Sequence, residues 1–435
     1  MDDRTKIFIG LGIVGIIVGT IVIFLVIILK GGAVKEPITL TWWGYEDTED
    51  PGIQKLIENY TKKYSYVTIE YSKRGESPEE YEKIVNNAIA SGEGPDMYQI
   101  RNDWLPMHHK KMYPAPDKKM SKKDFTENFL SVAVNDFVMD DKVYAIPFAV
   151  DTLAVFKNNT VARNNPGNTW DDFKENVKKN RKLKGDFVEQ AAVAMGTSNN
   201  VEYAQDILYT IMLQNNTVMT SDDNQKAYFN LSAKDKYDNI IYPGTSALEF
   251  YTSFASPSKE TYTWNAKMGN SFATFIDGKS AYMFGYASDV KRVEKETGGK
   301  LLFDVFRMPQ ILGKDIYYAK YWATGVSDSS AQKDEAWNFL KYVSEKDQMN
   351  AYVLKTNMPS ARKDIISGQK SSTSTKIKVF ARQAESAFSW HKGNWSKTDK
   401  LFGELITNVS QRGQKAQAAI DSAAKEMDSI LREVL

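Results

Sequence analysis

The feature that most constrains this chain is an uncharged apolar segment, residues 7–29, that precedes every other recognisable element. At about 1.5 Å per residue, a helix over this segment spans the roughly 30 Å hydrocarbon core of a bilayer. The apolar region of a cleaved signal peptide is usually shorter, about 7–15 residues. We therefore predict an uncleaved transmembrane anchor, with cleavage near Gly31-Gly32-Ala33 as the alternative. The rest of the chain is expected to fold on the outer side of the membrane and close to it.

Composition excludes several kinds of site. The chain has no cysteine, which excludes disulfides, thiolate metal sites, cysteine nucleophiles and a lipid-modified cysteine after the apolar segment. Its 56 basic and 55 acidic side chains give a net charge of 56 − 55 = +1, so no overall charge attracts nucleic acid. The adjacent His108 and His109 do not indicate a metal site, because neighbouring side chains rarely point at one ion. Neither a phosphate-binding Gly-x-x-x-x-Gly-Lys-Ser/Thr loop nor a Gly-x-Ser-x-Gly motif is present. We predict no cofactor, no metal ion and no catalytic residue.

The first part of the body alternates strand and helix patterns. Strand-like runs at 38–43, 66–72 and 95–100 are separated by helix-like runs at 51–63 and 78–91. Ser77 and Pro78 have the residue types of a helix N-cap and first turn, and Gly92 ends that helix. This β-α-β-α-β order predicts a mainly parallel, doubly wound sheet. The later part is predicted to have a mostly helical middle third to about residue 281, strands at 281–285 and 302–306, and amphipathic helices at 334–342 and 415–431.

Several short motifs occur in a fixed order along the chain. They are LTWWG at 40–44, GEGPDM at 92–97, KVYAIPF at 142–148 followed by Asp151-Thr152, NTWDDF at 168–173, FIDGKSAYMFG at 275–285 and EAWNFL at 335–340. Together they resemble the extracellular solute-binding proteins of ABC importers, in the sugar-binding group that includes maltose-binding protein. The resemblance covers roughly residues 38–431. The missing lipid-modified cysteine is a departure from the family, and here the apolar segment takes its place as the anchor.

The resemblance implies an α/β, two-lobed, clamshell fold of the periplasmic-binding-protein type behind an N-terminal transmembrane helix. We expect an anchor and tether at 1–37, a first lobe of 38–149 plus 286–321, and a second lobe of 150–285 plus 322–435. It also implies a monomer on the extracellular side of the cell membrane, with a small-molecule solute and the permease subunits of an ABC transporter as partners.

The candidate binding residues follow from what a sugar presents, which is apolar C–H faces and a ring of hydroxyls. Such a ligand needs aromatic rings together with directional polar groups. In open α/β sheets these groups belong at the carboxyl ends of strands and in the crossovers between lobes. The candidates are Trp43, Tyr45, Arg101, Asn102, Asp103, Trp104, Asp151, Trp264, Asn265, Tyr286, Tyr321, Trp322, Trp390 and Trp395. Trp322, at the expected second crossover, is the principal one.

Several of these residues have a structural alternative. Alternation along the first strand sends Trp42 and Trp43 to opposite faces, so at most one of them faces a ligand. Asp151 is equally suited to be a structural cap at the hinge. Trp390 and Trp395 belong to a late aromatic loop that either covers the cleft or packs locally.

The functional prediction is a receptor for an oligosaccharide or a related polyhydroxylated solute, which it presents to a permease without performing any chemistry. One alternative is a receptor of the same fold for a non-sugar solute or for a sensor partner. Another is a glycan-degrading enzyme, which also needs aromatic side chains and a pair of carboxylates about 5–10 Å apart. Sequence alone does not give that distance.

Overall fold

Two mixed β-sheets, each flanked by helices, form the folded part of the chain. The computed structural model describes residues 35–433, so the apolar segment 7–29 lies outside the described residues. Within 35–433, no helix is both long enough and apolar enough to cross a bilayer. The predicted anchor is therefore not among the elements given below.

The elements are numbered along the chain. The strands are β1 (Ile38–Gly44), β2 (Val67–Lys73), β3 (Met97–Arg101), β4 (Met112–Tyr113), β5 (Val138–Met139), β6 (Lys142–Val143), β7 (Ala145–Pro147), β8 (Ala154–Asn158), β9 (Lys182–Lys184), β10 (Phe187–Val193), β11 (Ala233–Lys234), β12 (Ile240–Ile241), β13 (Ser280–Gly285), β14 (Phe303–Phe306), β15 (Tyr317–Tyr318), β16 (Trp322–Ser327) and β17 (Ala387–Phe388). The helices are α1 (Pro51–Lys63), α2 (Pro78–Ser91), α3 (Leu105–His108), α4 (Lys122–Asn128), α5 (Ser131–Phe137), α6 (Trp170–Asn180), α7 (Ala204–Gln214), α8 (Pro243–Ser253), α9 (Ser271–Ile276), α10 (Ala287–Glu296), α11 (Lys333–Val343), α12 (Lys346–Thr356), α13 (Lys363–Gln369), α14 (Thr375–Ala384), α15 (Trp395–Ser410) and α16 (Ala416–Arg432).

The first sheet has the strand order β2-β1-β3-β16-β4, with β7 also paired to β16. β1 runs parallel to β2 and β3, as the β-α-β-α-β pattern predicts, whereas β16 is antiparallel to β3. Leu40 and Trp42 on β1 are fully buried, because alternate residues of a strand face the same side of its sheet. Helix α2 begins as predicted, since the Ser77 hydroxyl accepts a hydrogen bond from the Glu80 N–H.

The second sheet has the order β14-β8-β13-β10-β9. β8 is antiparallel to both β13 and β14, and β10 is parallel to β13. β10 lies in the middle third that the sequence predicts to be mostly helical, so that prediction is wrong here. Ala191 and Ala192 favour helix intrinsically, but both are fully buried in this strand. Burial between neighbouring strands overrides that preference.

The pairing of β14 and β16 corrects the expected division into lobes. β14, expected in the first lobe within 286–321, pairs with β8 of the second sheet. β16, expected in the second lobe, pairs with β3 of the first sheet. Helices α11 and α12, which follow β16, pack on α1 of the first lobe, where the Tyr60 ring contacts Phe339 and Tyr342. β14 therefore belongs to the second sheet, and the chain is back in the core of the first lobe by Tyr321. Local pattern identifies these strands but carries no information on which distant strand each one pairs with.

Two connections between the sheets lie side by side. Thr152 forms a β-bridge with Ala319, and the Lys320 N–H donates to the Asp151 carbonyl oxygen at 3.0 Å. These two crossovers join the lobes next to the carboxyl ends of β1 and β3. They form the base of a cleft between the lobes.

Candidate ligand-binding cleft

A cavity of about 470 Å³ lies between the two sheets, beside the crossovers. The side of the first sheet contributes Tyr45, Glu46, Gln99, Arg101, Phe148 and Trp322, and the side of the second sheet contributes Asp151, Tyr203, Tyr286, Ser288, Lys291 and Lys320. The volume is in the range of small-molecule sites in proteins. A ligand in this cavity contacts both lobes at once.

Two stacked rings form the wall on the first lobe. The Tyr45 and Trp322 ring centroids are 5.1 Å apart, with 26° between the ring planes. Trp322 is the first residue of β16 and pairs with Arg101, the last residue of β3. Tyr45 follows Gly44, the last residue of β1, where a side chain does not fit because a Cβ would lie 2.1 Å from the Tyr71 hydroxyl. The strand ends thus place two aromatic rings at one edge of the sheet.

Two more aromatic rings form the wall on the second lobe. Tyr203 and Tyr286 meet edge to face, with centroids 4.9 Å apart and ring planes at 90°. The Tyr286 hydroxyl donates to Asp206 Oδ2 at 3.0 Å, and Lys320 Nζ lies 2.7 Å from the same oxygen. The Lys320 ammonium is also 5.6 Å from the Tyr203 ring centroid. The second wall therefore combines apolar ring surface with hydroxyl and ammonium donors.

Glu46 supplies the cavity with a carboxyl group that has one oxygen without a hydrogen-bond partner among residues 35–433. Burial raises its pKa to about 7, a shift that a hydrogen bond from Gln99 only partly opposes. Its Oε2 atom is buried and has no hydrogen-bond partner within residues 35–433. Near neutral pH this group is present both as acid and as carboxylate, so it can donate to or accept from a ligand hydroxyl.

Asp151 also lines the cavity, but its carboxylate is already engaged. Its Oδ1 accepts from the Ala287 N–H at 2.6 Å and its Oδ2 from the Ser288 N–H at 3.0 Å, so it caps the start of α10. Burial raises the pKa of Asp151 to about 7 despite these bonds. The contacts are those of the structural cap that was the alternative for this residue. Among residues 35–433, no group of three or more His, Asp or Glu side chains is arranged to hold a metal ion.

Arg101 reaches the cavity from the end of β3 and is held on its other sides. Its Nε and Nη2 atoms donate to the two oxygens of Asp103 at 2.6 and 2.7 Å. The guanidinium carbon lies 4.1 Å from the Trp395 ring centroid. Burial by itself raises the pKa of Asp103, but the adjacent Arg101 and Lys392 outweigh it and hold that pKa below its usual range. Arg101 is thus a fixed cation at the base of the cleft.

The structure brings part of the predicted set together. Of the predicted residues, the cavity is lined by Tyr45, Arg101, Asp151, Tyr286, Tyr321 and Trp322. Sequence reasoning missed Glu46, Gln99, Tyr203, Ser288, Lys291 and Lys320, which also line it. Glu46 and Lys320 are direct neighbours of predicted residues, so extending each predicted cluster by one position finds them. Tyr203 has no such signal, because its position depends on how α7 packs.

Asn102, Asp103 and Trp104 lie behind the cavity rather than in it. The Asn102 side-chain amide donates to Asp136 Oδ2 at 3.1 Å. Trp104 is fully buried and stacks on Trp395, with centroids 5.6 Å apart. These residues support Arg101 and the crossover from the interior of the first lobe, and no ligand contact is assigned to them or to Trp395.

Trp43 and Trp390 also lie away from the cavity lining. The Trp43 ring is half-buried, and the Arg74 guanidinium lies 4.4 Å from its centroid. Trp390 packs edge to face on Tyr209 at 5.2 Å, inside the core of the second lobe. Their contacts fit the local-packing alternatives.

Trp264 and Asn265 sit elsewhere in the second lobe. Trp264 is fully buried, and its Nε1 donates to Asn200 Oδ1 at 3.1 Å. Asn265 lines a separate surface cavity of about 660 Å³ beside Phe187 and Tyr262. Neither residue reaches the cleft between the lobes.

Comparison with known families agrees with this architecture. The family described as bacterial extracellular solute-binding protein matches residues 55–379, which is most of the chain. The chain belongs to this family. Members of the family are extracellular solute-binding proteins, and this chain is one of them.

Individual relatives are distant. A maltotriose-binding protein of Pyrococcus abyssi is 26% identical over 138 residues, a match that spans 32% of this chain and 29% of that relative. The cyclic alpha-maltosyl-1,6-maltose binding protein of Arthrobacter globiformis superposes with a TM-score of 0.75 at 18% identity, over 91% of this chain and 100% of the other. The sugar-binding protein MalE of Xanthomonas citri gives a TM-score of 0.73 at 17% identity, over 91% and 98%. These structures establish the two-lobed α/β fold of the periplasmic-binding-protein type.

Proposed function

We propose that this solute-binding protein is a membrane-anchored receptor that binds an oligosaccharide between its lobes and delivers it to an ABC permease. The observation that carries the proposal is the pair of aromatic walls, Tyr45 with Trp322 and Tyr203 with Tyr286, on opposite sides of one cavity. Sugar rings offer flat apolar faces, and aromatic side chains bury such faces well. The residues 7–29 serve as the anchor in this proposal.

Polar groups between the walls complete a carbohydrate site. Glu46, Gln99 and Arg101 on the first lobe, and Ser288 and Lys320 on the second, provide donors and acceptors for hydroxyls. The maltotriose-binding relative and the maltodextrin-type ligands of the structural neighbours favour a glucose oligomer. No step of this function requires chemistry, so all of these residues bind rather than catalyse.

Ligand binding drives the function through a shift in populations. A sugar that contacts both walls binds the closed arrangement more tightly than the open one, and this difference sets how far the lobes close. The closed shape of the protein then indicates to the permease that a sugar is bound. Family membership supports delivery to a permease, and the proposed anchor keeps the body beside the membrane.

Trp322→Ala tests the site directly. Loss of a ring that buries a sugar face is expected to cost about 1.5–3 kcal/mol, which is roughly a 10- to 150-fold weaker Kd. Isothermal titration of the parent and the variant with maltotriose and maltotetraose measures the change. Trp43→Ala is the matched control, because Trp43 is half-buried but lies outside the cavity. Equal affinities for the parent and Trp322→Ala would mean that the cleft is not the sugar-binding site.

A thermal-shift screen distinguishes this receptor from one for a charged solute. A tight ligand raises the melting temperature by mass action. Oligosaccharides are expected to raise it, whereas amino acids, peptides and polyamines are not. A shift with any of these and none with sugars would assign the same cleft to a different ligand class.

A further inference from the structure

Three buried charges and the half-buried Asp399 join the two lobes behind the cleft. We name Arg101, Asp103, Lys392 and Asp399 the inter-lobe charge cluster. Besides the Arg101–Asp103 pair, Lys392 Nζ lies 3.1 Å from Asp103 Oδ2 and 2.9 Å from Asp399 Oδ1. Arg101 Nη2 lies 3.8 Å from Asp399 Oδ2. Lys392 is fully buried and Arg101 is 3% exposed. The cluster contains two cations and two anions, so its charges balance only when all four are present.

The two halves of the cluster belong to different lobes. Arg101 and Asp103 follow β3 of the first sheet. Asp399 lies on α15 and is held by α7 of the second lobe: the Tyr209 hydroxyl donates to its Oδ1 at 3.0 Å, and the Gln205 side-chain amide donates to its backbone oxygen at 3.0 Å. Lys392 is the only one of the four that is in contact with both carboxylates within 3.1 Å. It is therefore the bridge between the halves.

The segment that carries Lys392 is anchored in both cores. Trp390 packs in the core of the second lobe, and Trp395 packs in the core of the first. The Trp395 Nε1 donates to Glu82 Oε2 at 2.7 Å, and its ring lies under the Arg101 guanidinium. Residues 390–395 thus span the lobes as a connection additional to the two crossovers at Thr152 and Ala319.

Burial makes the cluster sensitive to the relative position of the lobes. A buried ion pair that loses one partner leaves an uncompensated charge, which is strongly unfavourable. Any movement that takes Asp399 away from Asp103 leaves Lys392 with one carboxylate instead of two. The arrangement of the structure pairs all four charges, and one that separates Asp399 from Asp103 does not.

From this arrangement we propose that Lys392 is a positioning residue that holds the lobes together through Asp103 and Asp399 and so keeps Arg101 in place at the base of the cleft. Lys392 does not line the cavity, so it acts through its partners. The inference deepens the proposed function and rests on it, because the closed form is the one that retains a sugar.

Distance measurements between the lobes test this without any ligand. Since the chain has no cysteine, Glu79→Cys and Lys295→Cys give two exposed label sites, on α2 and α10, whose first turns lie at the cavity. Spin labels at these sites in the detergent-solubilised full chain report the inter-lobe distance distribution. Lys392→Met is expected to shift the ligand-free distribution to longer distances and to weaken maltotriose binding by about tenfold or more, as the competent fraction falls.

Matched variants separate positioning from a general loss of structure. Lys397→Met removes an exposed lysine of α15 that pairs with Glu433, and is expected to match the parent. Lys392→Arg keeps the charge and should restore most of the parent distribution. Asp399→Asn, which keeps the side-chain size, should reproduce the Lys392→Met shift and serves if that variant does not fold. Unchanged distances in Lys392→Met and Asp399→Asn, with only a lower melting temperature, would overturn the inference. Absence of maltotriose binding by the parent would instead count against the proposed function, because the distance readout needs no sugar.

Discussion

At the scale of single residues, Glu46 and Asp151 share a raised pKa but differ in their hydrogen bonding. Both carboxyl groups have pKa values raised to about 7, and burial is the main cause in each case. Both Asp151 carboxylate oxygens accept hydrogen bonds from the start of α10, whereas Glu46 Oε2 has no hydrogen-bond partner in the part of the chain that the structure describes. Glu46 is therefore the group whose protonation a ligand or a change of pH affects most directly.

Glu46→Gln is expected to flatten the pH dependence of stability. The folded-state pKa of about 7 lies above the ordinary value of 4.5. The folded protein therefore holds this proton more tightly than the unfolded chain, and the resulting stabilisation is complete below about pH 4.5 and is lost as the pH rises through about 7. Relative to the parent, the variant should gain about 1–3 kcal/mol in unfolding free energy between pH 5 and pH 8. Urea unfolding at several pH values measures it.

Asp47→Asn is the control for that experiment, because Asp47 is an exposed acid one residue away. Its profile should run parallel to that of the parent. Burial raises the pKa of Asp136 to about 7 as well, so some slope remains in Glu46→Gln. Identical profiles for the parent and Glu46→Gln would mean that water reaches the Glu46 carboxyl.

At the scale of elements, hydrogen bonds at the start of α10 connect the first crossover between the lobes to the wall of the cleft. The Asp151 carboxylate, on the first crossover, accepts from the first two N–H groups of the helix, and Asp289 of the helix itself accepts from the Tyr286 N–H. The residue in the N-cap position is Tyr286, which forms part of the second aromatic wall. The crossover, the helix start and the cavity wall are therefore fixed by one set of hydrogen bonds.

Asp151→Ala should destabilise the protein by about 1–3 kcal/mol, because the N–H groups of buried Ala287 and exposed Ser288 at the start of α10 lose their acceptor. Asp151→Asn keeps one carbonyl oxygen and is expected to lose less. In thermal unfolding at pH 6, the melting temperature is expected to be highest for the parent, lower for Asp151→Asn and lowest for Asp151→Ala. If both variants melted with the parent, other groups would be capping α10.

The strands and helices that local patterns predicted individually are present in the structure, and the failures share a cause. The helix at 51–63 and the strand at 38–43 depend on local periodicity and capping, and both were found where predicted, the strand one residue longer. β10 was missed because its alanines become strand residues only when β13 pairs beside them. In the cleft, Trp322 and Tyr45 were identifiable because aromatic residues at strand ends are a local signal. Tyr203 was not identifiable, since its place depends on the packing of α7.

At the scale of the whole molecule, the two-lobed architecture followed from resemblance, but the assignment of 286–321 and of β16 did not. A strand's sheet is set by contacts between residues far apart in sequence, such as Trp322 with Arg101. Motif order fixes which strands exist and in what succession. Motif order does not determine which of two similar sheets a strand joins. In this protein the observed strand pairings determine it.

The proposed anchor gives a prediction for the complete chain. Removing residues 1–34 should release the protein from membranes and leave its melting temperature and sugar affinity unchanged, because the described strands and helices of both lobes lie within 35–433. Flotation of carbonate-washed membranes from cells that produce the full and shortened chains measures the release. Retention of the shortened chain would mean that a surface of the body binds the membrane. Tyr237 and Ile240, which are 71% and 70% exposed on the β11–β12 hairpin, would then be the first positions to change to serine.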